Sequence, residues 1–206
     1  MKRRLKAVIV ILIIVLVSYL YAHIDVTHDI YGSDVDISAA ANNVTLLTDT
    51  IQQDFISQEN TLHGVTIKST VRSRVEAISF AFTVDHLETG ERVAQGSAFT
   101  EHPRDGGFFE FHFDAIEHAD GQKYRFTAYV EHVDNETQDI DQDLVGFLYD
   151  RETAEDTSFI VNEEGRQGTL ILRTSTRRFD LTTFIVVAAF LSYIVLFMKF
   201  LYKLFK

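Results

Sequence analysis

Asp139, Asp141 and Asp143 alternate along the chain and Asp150 closes the run, so carboxylates occupy positions 1, 3, 5 and 12 of a calcium-loop pattern. Leu144 stands where such a loop needs glycine, and Asp150 where it needs a bidentate Glu. An EF-hand is therefore excluded. A looser calcium site built from Asp134, Glu136, Asp139 or Asp141 stays open beside the plainer reading, a solvated acidic loop. Glu110, His112 and Asp114 share one face of an alternating segment. Same-face positions lie about 6.6 Å apart, so three such neighbours converge poorly on a metal, and a polar sheet face explains them.

Lys68, Arg72, Arg125 and Tyr129 are a different kind of set, bringing hydrogen-bond donors and one aromatic face to an acidic chain. They are read as a saccharide or partner-contact surface, against the alternative of cross-strand pairs with nearby carboxylates. Replacing Arg72 and Arg125 together by Ala is then expected to weaken binding without lowering stability.

The signatures of established catalysts are missing. There is no G-x-S-x-G, no H-E-x-x-H and no G-x-x-x-x-G-K. With no Cys, a thiolate metal site, a disulfide framework and a cysteine nucleophile are all excluded. The 30 Asp and Glu against 19 Lys and Arg leave a net charge of −11, which argues against a nucleic-acid partner. So many carboxylates make some close pair inevitable, so a pair of them carries no information about glycoside hydrolysis. The eight His are scattered, and a pH-sensing role explains them no better than a surface role does. The expectation is a chain that is not an enzyme and needs no cofactor, calcium being the one ion left open.

The elements that must position these residues follow from how charge is divided. All 30 acidic residues lie between Asp25 and Asp180. Lys2, Arg3, Arg4 and Lys6 precede an uncharged run from Ala7 to Ala22, and a second uncharged run from Leu181 to Met198 leads into Lys199, Lys203 and Lys206. A bilayer core of roughly 30 Å takes about 20 apolar helical residues, and both runs fall slightly short unless their flanking lysines snorkel. Basic flanks collect on the cytoplasmic side. The chain is accordingly divided into a cytoplasmic tail (1–6), a first transmembrane helix (7–22), a stalk (23–42) and an extracytoplasmic β-sandwich (43–176). A membrane return (177–180), a second transmembrane helix (181–201) and a basic cytoplasmic tail (202–206) complete it. The first run also fits a cleaved signal peptide, but Leu20-Tyr21-Ala22 is a poor cleavage site and an uncleaved anchor is preferred. An exported domain without Cys suits a bacterial surface.

Within the middle segment the apolar period is two. Ile78, Phe80, Phe82 and Val84 share a face, as do Phe109, Phe111 and Phe113, and Tyr124, Phe126, Ala128 and Val130. Further strands are expected at 64–72, 92–99, 144–149, 157–162 and 168–174, separated by Gly- and Asp-rich turns such as Asp120-Gly121. Eight or so half-apolar strands make two stacked sheets the expected fold, all-β and sandwich-like.

The order of features resembles a known family. Gln53-Asp54-Phe55, then Asn60-Thr61-Leu62-His63-Gly64-Val65-Thr66-Ile67, an aromatic alternating strand, and Asp120-Gly121-Gln122-Lys123-Tyr124-Arg125-Phe126 are similar to the galactose-binding-like jelly rolls of bacterial membrane and cell-envelope proteins. The likeness covers about residues 51–133. It implies a jelly-roll sandwich and a setting of cell-surface recognition, and it supplies no catalytic residues. The family's sugar binders often use exposed Trp or Tyr, and this chain has no Trp. The reading reached from sequence is a two-pass membrane protein of the bacterial cell envelope or surface-polysaccharide machinery, with a non-enzymatic recognition or accessory role. Its partners would be the bilayer and a cell-surface polysaccharide or a membrane protein. The alternative is a structural subunit that binds protein and never touches sugar.

Overall fold

The computed structural model describes residues 2–32, 35, 42–45, 49–71, 75–135 and 145–205. Its elements run α1 (Lys2–Tyr21), β1 (His23–Asp29), β2 (Asn42–Thr45), β3 (Ile51–Ile56), β4 (Thr61–Val71), β5 (Val75–His86), β6 (Arg92–Glu101) and β7 (Phe108–Glu117). They continue β8 (Lys123–Asn135), β9 (Val145–Asp150), β10 (Ser158–Val161), β11 (Glu164–Arg166), β12 (Thr169–Leu170), β13 (Leu172–Phe179) and α2 (Leu181–Leu204). Two compact units result: Thr27–Thr176, which is β, and the helical unit of Met1–Val26 with Arg177–Lys206.

The β unit holds two antiparallel sheets. One has the order β11-β10-β3-β8-β5-β6, the other β1-β13-β4-β9-β12, with β2 added on β9 and β7 on β4. The alternating faces read from sequence meet between them. Phe80 of one sheet lies 4.8 Å from Phe109 and 5.4 Å from Phe147 of the other, ring centre to ring centre, and Phe126 lies 5.0 Å from Phe111. Phe80–Phe109 and Phe126–Phe111 meet edge to face and Phe80–Phe147 is stacked, arrangements that suit the aromatic quadrupole. Burying each such ring contributes about 1.5–3 kcal/mol. This aromatic layer is what fixes which face of every strand points outward.

Gln53 is the polar exception within that core, fully buried on β3. Its Nε2 donates to the carbonyls of Asp54 and Ser158, and its Oε1 accepts from the Leu170 N–H at 3.0 Å. One side chain thus ties backbone groups of both sheets, which is why a polar residue is tolerated there.

The segment 23–42 is not a bare stalk. Among its described residues His23–Asp29 form β1 beside β13, and the Ile30 N–H donates to the Leu172 carbonyl. Tyr31 is buried, and its hydroxyl accepts from Arg173 Nη2 at 3.0 Å while Arg173 Nε bonds Asp29 at 2.6 Å and the guanidinium lies 4.5 Å over the Phe108 ring. Ile24 and Val26 alternate with polar residues there, a period too short and too charged to read against an expected linker.

In the helical unit the expectation of two membrane helices is corrected. Among the described residues one helix, α2, is long and apolar enough to cross a bilayer. Its 24 residues span about 36 Å at 1.5 Å per residue. The apolar part of α1, Val8–Tyr21, covers only about 21 Å of a roughly 30 Å core. Asp180 caps α2, its side chain accepting from the Thr183 N–H. That backbone hydrogen bond, foremost among the causes, holds the Asp180 carboxyl below its ordinary value.

Candidate functional site

The outer face of the six-stranded sheet is built from β3, β8, β5 and β6, read in register. Asp54 pairs with Arg125, which pairs with Asp85, which pairs with Arg92. The next rows are Thr127–Thr83–Gln95 and Tyr129–Ala81–Ser97, followed by Ser79 opposite Phe99. Because inner positions are occupied by Phe80, Phe82 and Val84, the outward residues of β5 are Ala77, Ser79, Ala81 and Thr83, all small. On either side rise aromatics. Tyr129 of β8 is 45% exposed and Phe99 of β6 is 62% exposed. The result is a shallow trough with a small-residue floor, about 9.6 Å wide from β8 to β6 at two strand spacings.

Hydrogen bonding fixes the polar groups of the trough. Glu131 follows Tyr129 at a bulge in β8, and its Oε2 accepts from the hydroxyls of Ser79 at 3.3 Å and Ser97 at 3.0 Å. At the other end Arg125 donates from Nε and Nη2 to the two oxygens of Asp54, at 2.7 and 2.9 Å. The Asp54 side chain is 7% exposed, so this bidentate pair is partly withdrawn from water. Arg92 Nε bonds Asp85 at 2.9 Å in the open. In each case the hydrogen bond to its carboxylate is the main cause raising the guanidinium above its ordinary value, except that burial opposes it. A groove of about 590 Å³ between β6 and β7 shares Arg92 and Gln95 with this face and is otherwise lined by Val93, Ala94, Phe113 and Asp114.

Sequence-derived candidates divide over this geometry. Arg125 and Tyr129 lie on the face described, two positions apart on the outward side of β8. Lys68 lies on β4 of the other sheet, opposite Phe108 of β7. Arg72 lies outside the described residues. Strand alternation tells which face a residue takes but not which sheet its strand joins, so Lys68 was grouped with strangers. Arg125 is also committed to Asp54, so its replacement is expected to lower stability as well as alter the face.

Asp134 sits exposed at the end of β8, while Glu136, Asp139 and Asp141 lie outside the described residues. Among the described residues no group of three His, Asp or Glu side chains is placed to hold a metal ion. His112 Nε2 meets Glu110 Oε2 at 3.1 Å, while Asp114 turns to the β6–β7 groove. Phe99, Ser97 and Glu131 were missed by sequence reasoning. The exposed half of an alternating strand is what signals them, and Phe99, the one large apolar side chain at an outward position of β6, is the visible anomaly.

No family model matches the chain, and no curated protein matches it. Among solved structures, a clostridial cysteine protease, Cwp84 after propeptide cleavage, is similar at 8% identity and a TM-score of 0.45, over 74% of this chain and 40% of that one. The cysteine protease and lectin-like domains of Cwp84, a surface-layer-associated protein of Clostridium difficile, give 10% identity and 0.37, over 63% and 32%. The chain thus spans less than half the length of either. At these scores the likeness carries no conclusion about fold family, substrate or activity, and the galactose-binding-like resemblance is not joined by a family. The expectation that the chain is not an enzyme is corrected to no statement on catalysis, both similar chains being of a cysteine protease. This chain has no Cys to serve as such a nucleophile.

Proposed function

We propose that the chain is a membrane-anchored saccharide-recognition module of the bacterial cell envelope or surface-polysaccharide machinery. The outer trough of the six-stranded sheet is its binding face. The observation that carries this reading is the pair of exposed aromatics, Tyr129 and Phe99, standing on either side of a floor made of Ala77, Ser79 and Ala81. Sugar rings present an apolar C–H face and a rim of hydroxyls. The first stacks on aromatic faces, whose quadrupole is negative. The second needs fixed polar groups, here Glu131 with its serines and Gln95. A floor without bulky side chains lets a chain of rings lie along β5.

The finer fold reading, a jelly roll of galactose-binding-like type, belongs to the same proposal and is supported by the two-sheet architecture and the Gln53 and Gly64 positions that carry the resemblance. So does the finer topology. α2 anchors the chain, and α1 enters the membrane beside it, with the basic residues at both ends of the sequence on the cytoplasmic side, so that both termini are inside and the β unit outside. In support, α1 exposes Val8, Ile11, Leu12, Leu16 and Leu20 to its surroundings, a cost in water that lipid removes. Ser18 and Ala22, both fully buried, are small residues one turn apart, as at close helix crossings. Tethering at the membrane raises the effective concentration of the trough toward membrane-near glycans.

The test is a glycan array probed with the full chain in lipid nanodiscs, wild type against Tyr129→Ala/Phe99→Ala. Signals that the double variant loses, with its melting temperature kept, are the expected result. An array without any signal for the wild type would end the reading.

A further inference from the structure

The charges around the trough restrict what kind of saccharide it takes. We infer that the face selects uncharged, hydroxyl-rich saccharides and rejects anionic ones; this deepens the reading above and rests on it. Both guanidiniums on the face are already occupied by carboxylates of the chain, Arg125 by Asp54 at 2.7 and 2.9 Å and Arg92 by Asp85 at 2.9 Å. A uronate or phosphate on the ligand would have to displace one of them. Displacing Asp54 would strand a nearly buried carboxylate without its cation, an unfavourable exchange.

Among the described residues the carboxylate between the aromatics is that of Glu131, an acceptor, and His132 stands opposite Ser79 at its edge. Glu131 Oε2 takes both serine hydroxyls, and among the described residues Oε1 accepts no hydrogen bond. A carboxylate has room for about four donors, so Oε1 is free to receive ligand hydroxyls in charge-assisted bonds, stronger than neutral ones. The same charge repels a ligand anion, and the acidic residues that crowd the middle of the chain add to that field. Ser79 and Ser97 fix the carboxylate before a ligand arrives, so little freedom is lost on binding. The chemistry of the site is therefore acceptor plus aromatic faces, suited to hexopyranoses with adjacent free hydroxyls.

Isothermal titration of the full chain in zwitterionic nanodiscs, with mannohexaose and maltohexaose as neutral probes and hexagalacturonate and glycerol-phosphate oligomers as anionic ones, tests this. Binding of a neutral probe is expected, with affinity nearly unchanged between 50 and 500 mM NaCl on the order expected for an uncharged ligand. Glu131→Gln should weaken it about tenfold, the loss of one charge-assisted bond, while the melting temperature holds. Tighter binding of an anionic probe, weakening as salt rises, would overturn the charge selection and leave saccharide recognition standing. Equal affinity of Glu131→Gln for the neutral probe would remove Glu131 from the site. If neither class binds, the recognition reading itself fails, and this inference with it.

Discussion

Arg125 shows how one side chain can hold the proposed binding face together through a partner within the chain. Its fork closes on Asp54 across the β3–β8 pair, and Asp54 has little water to fall back on. Arg125→Ala should therefore destabilise the β unit by about 3 kcal/mol, the scale of a withdrawn charge losing its partner. Thermal melts of the full chain in nanodiscs would show it, and Asp54→Asn/Arg125→Gln together should recover part of the loss. Gln53 makes the companion case. Gln53→Leu fills the space but leaves the Leu170 N–H and the Ser158 carbonyl without partners, at about 2–3 kcal/mol. A variant with unchanged stability would mean that water replaces the side chain. The sequence showed neither role. It marks Gln53 and Arg125 as polar residues in strands, and only the register reveals what stands opposite.

At the level of elements, the strands expected from alternation are found among the described residues, the one at 168–174 divided into β12 on β9 and β13 on β4. β3 was not legible by period, since Gln53 and Asp54 are both buried in a six-residue strand and break the alternation. β1 was hidden by its His and Asp content. The sheet to which each strand belongs was hidden as well, and that is why Lys68 parted from Arg125. Two glycines carry sharp predictions. A Cβ on Gly64 of β4 would meet the Phe111 carbonyl and the Ser175 hydroxyl, each at 2.8 Å, so Gly64→Ala should cost about 1–3 kcal/mol through forced shifts in the β13–β4–β7 ladder. Gly168 has φ +125, and an added Cβ would run into the Asp150 carbonyl, so Gly168→Ala should lower the melting temperature as well. At α2 the Thr183 N–H holds the Asp180 carboxyl below its ordinary value. Its contribution is present above the unfolded value near 4 and is lost as pH falls through the lower folded value. The Thr183 amide resonance should follow that titration, and should stay flat if the cap is not formed.

For the whole molecule, the division of charge was plain in the sequence and is matched by two units, one β and one helical. Composition spoke less clearly about the helices, since an apolar run near the minimum length reads as a span until its helical rise is set against the bilayer. The proposed binding face was the least visible part, because it is a property of several strands in register and no single segment contains it. If the outer face of the six-stranded sheet is where ligand docks, protection should appear there and nowhere else. Hydrogen exchange of the full chain in nanodiscs, with and without a saturating neutral oligosaccharide, measures this directly. The account predicts slowed exchange in β5, β6 and β8 around Ala81, Ser97 and Tyr129, with β4, β7 and β13 unaffected. Protection confined to the seven-stranded sheet, with none along β5, would contradict it.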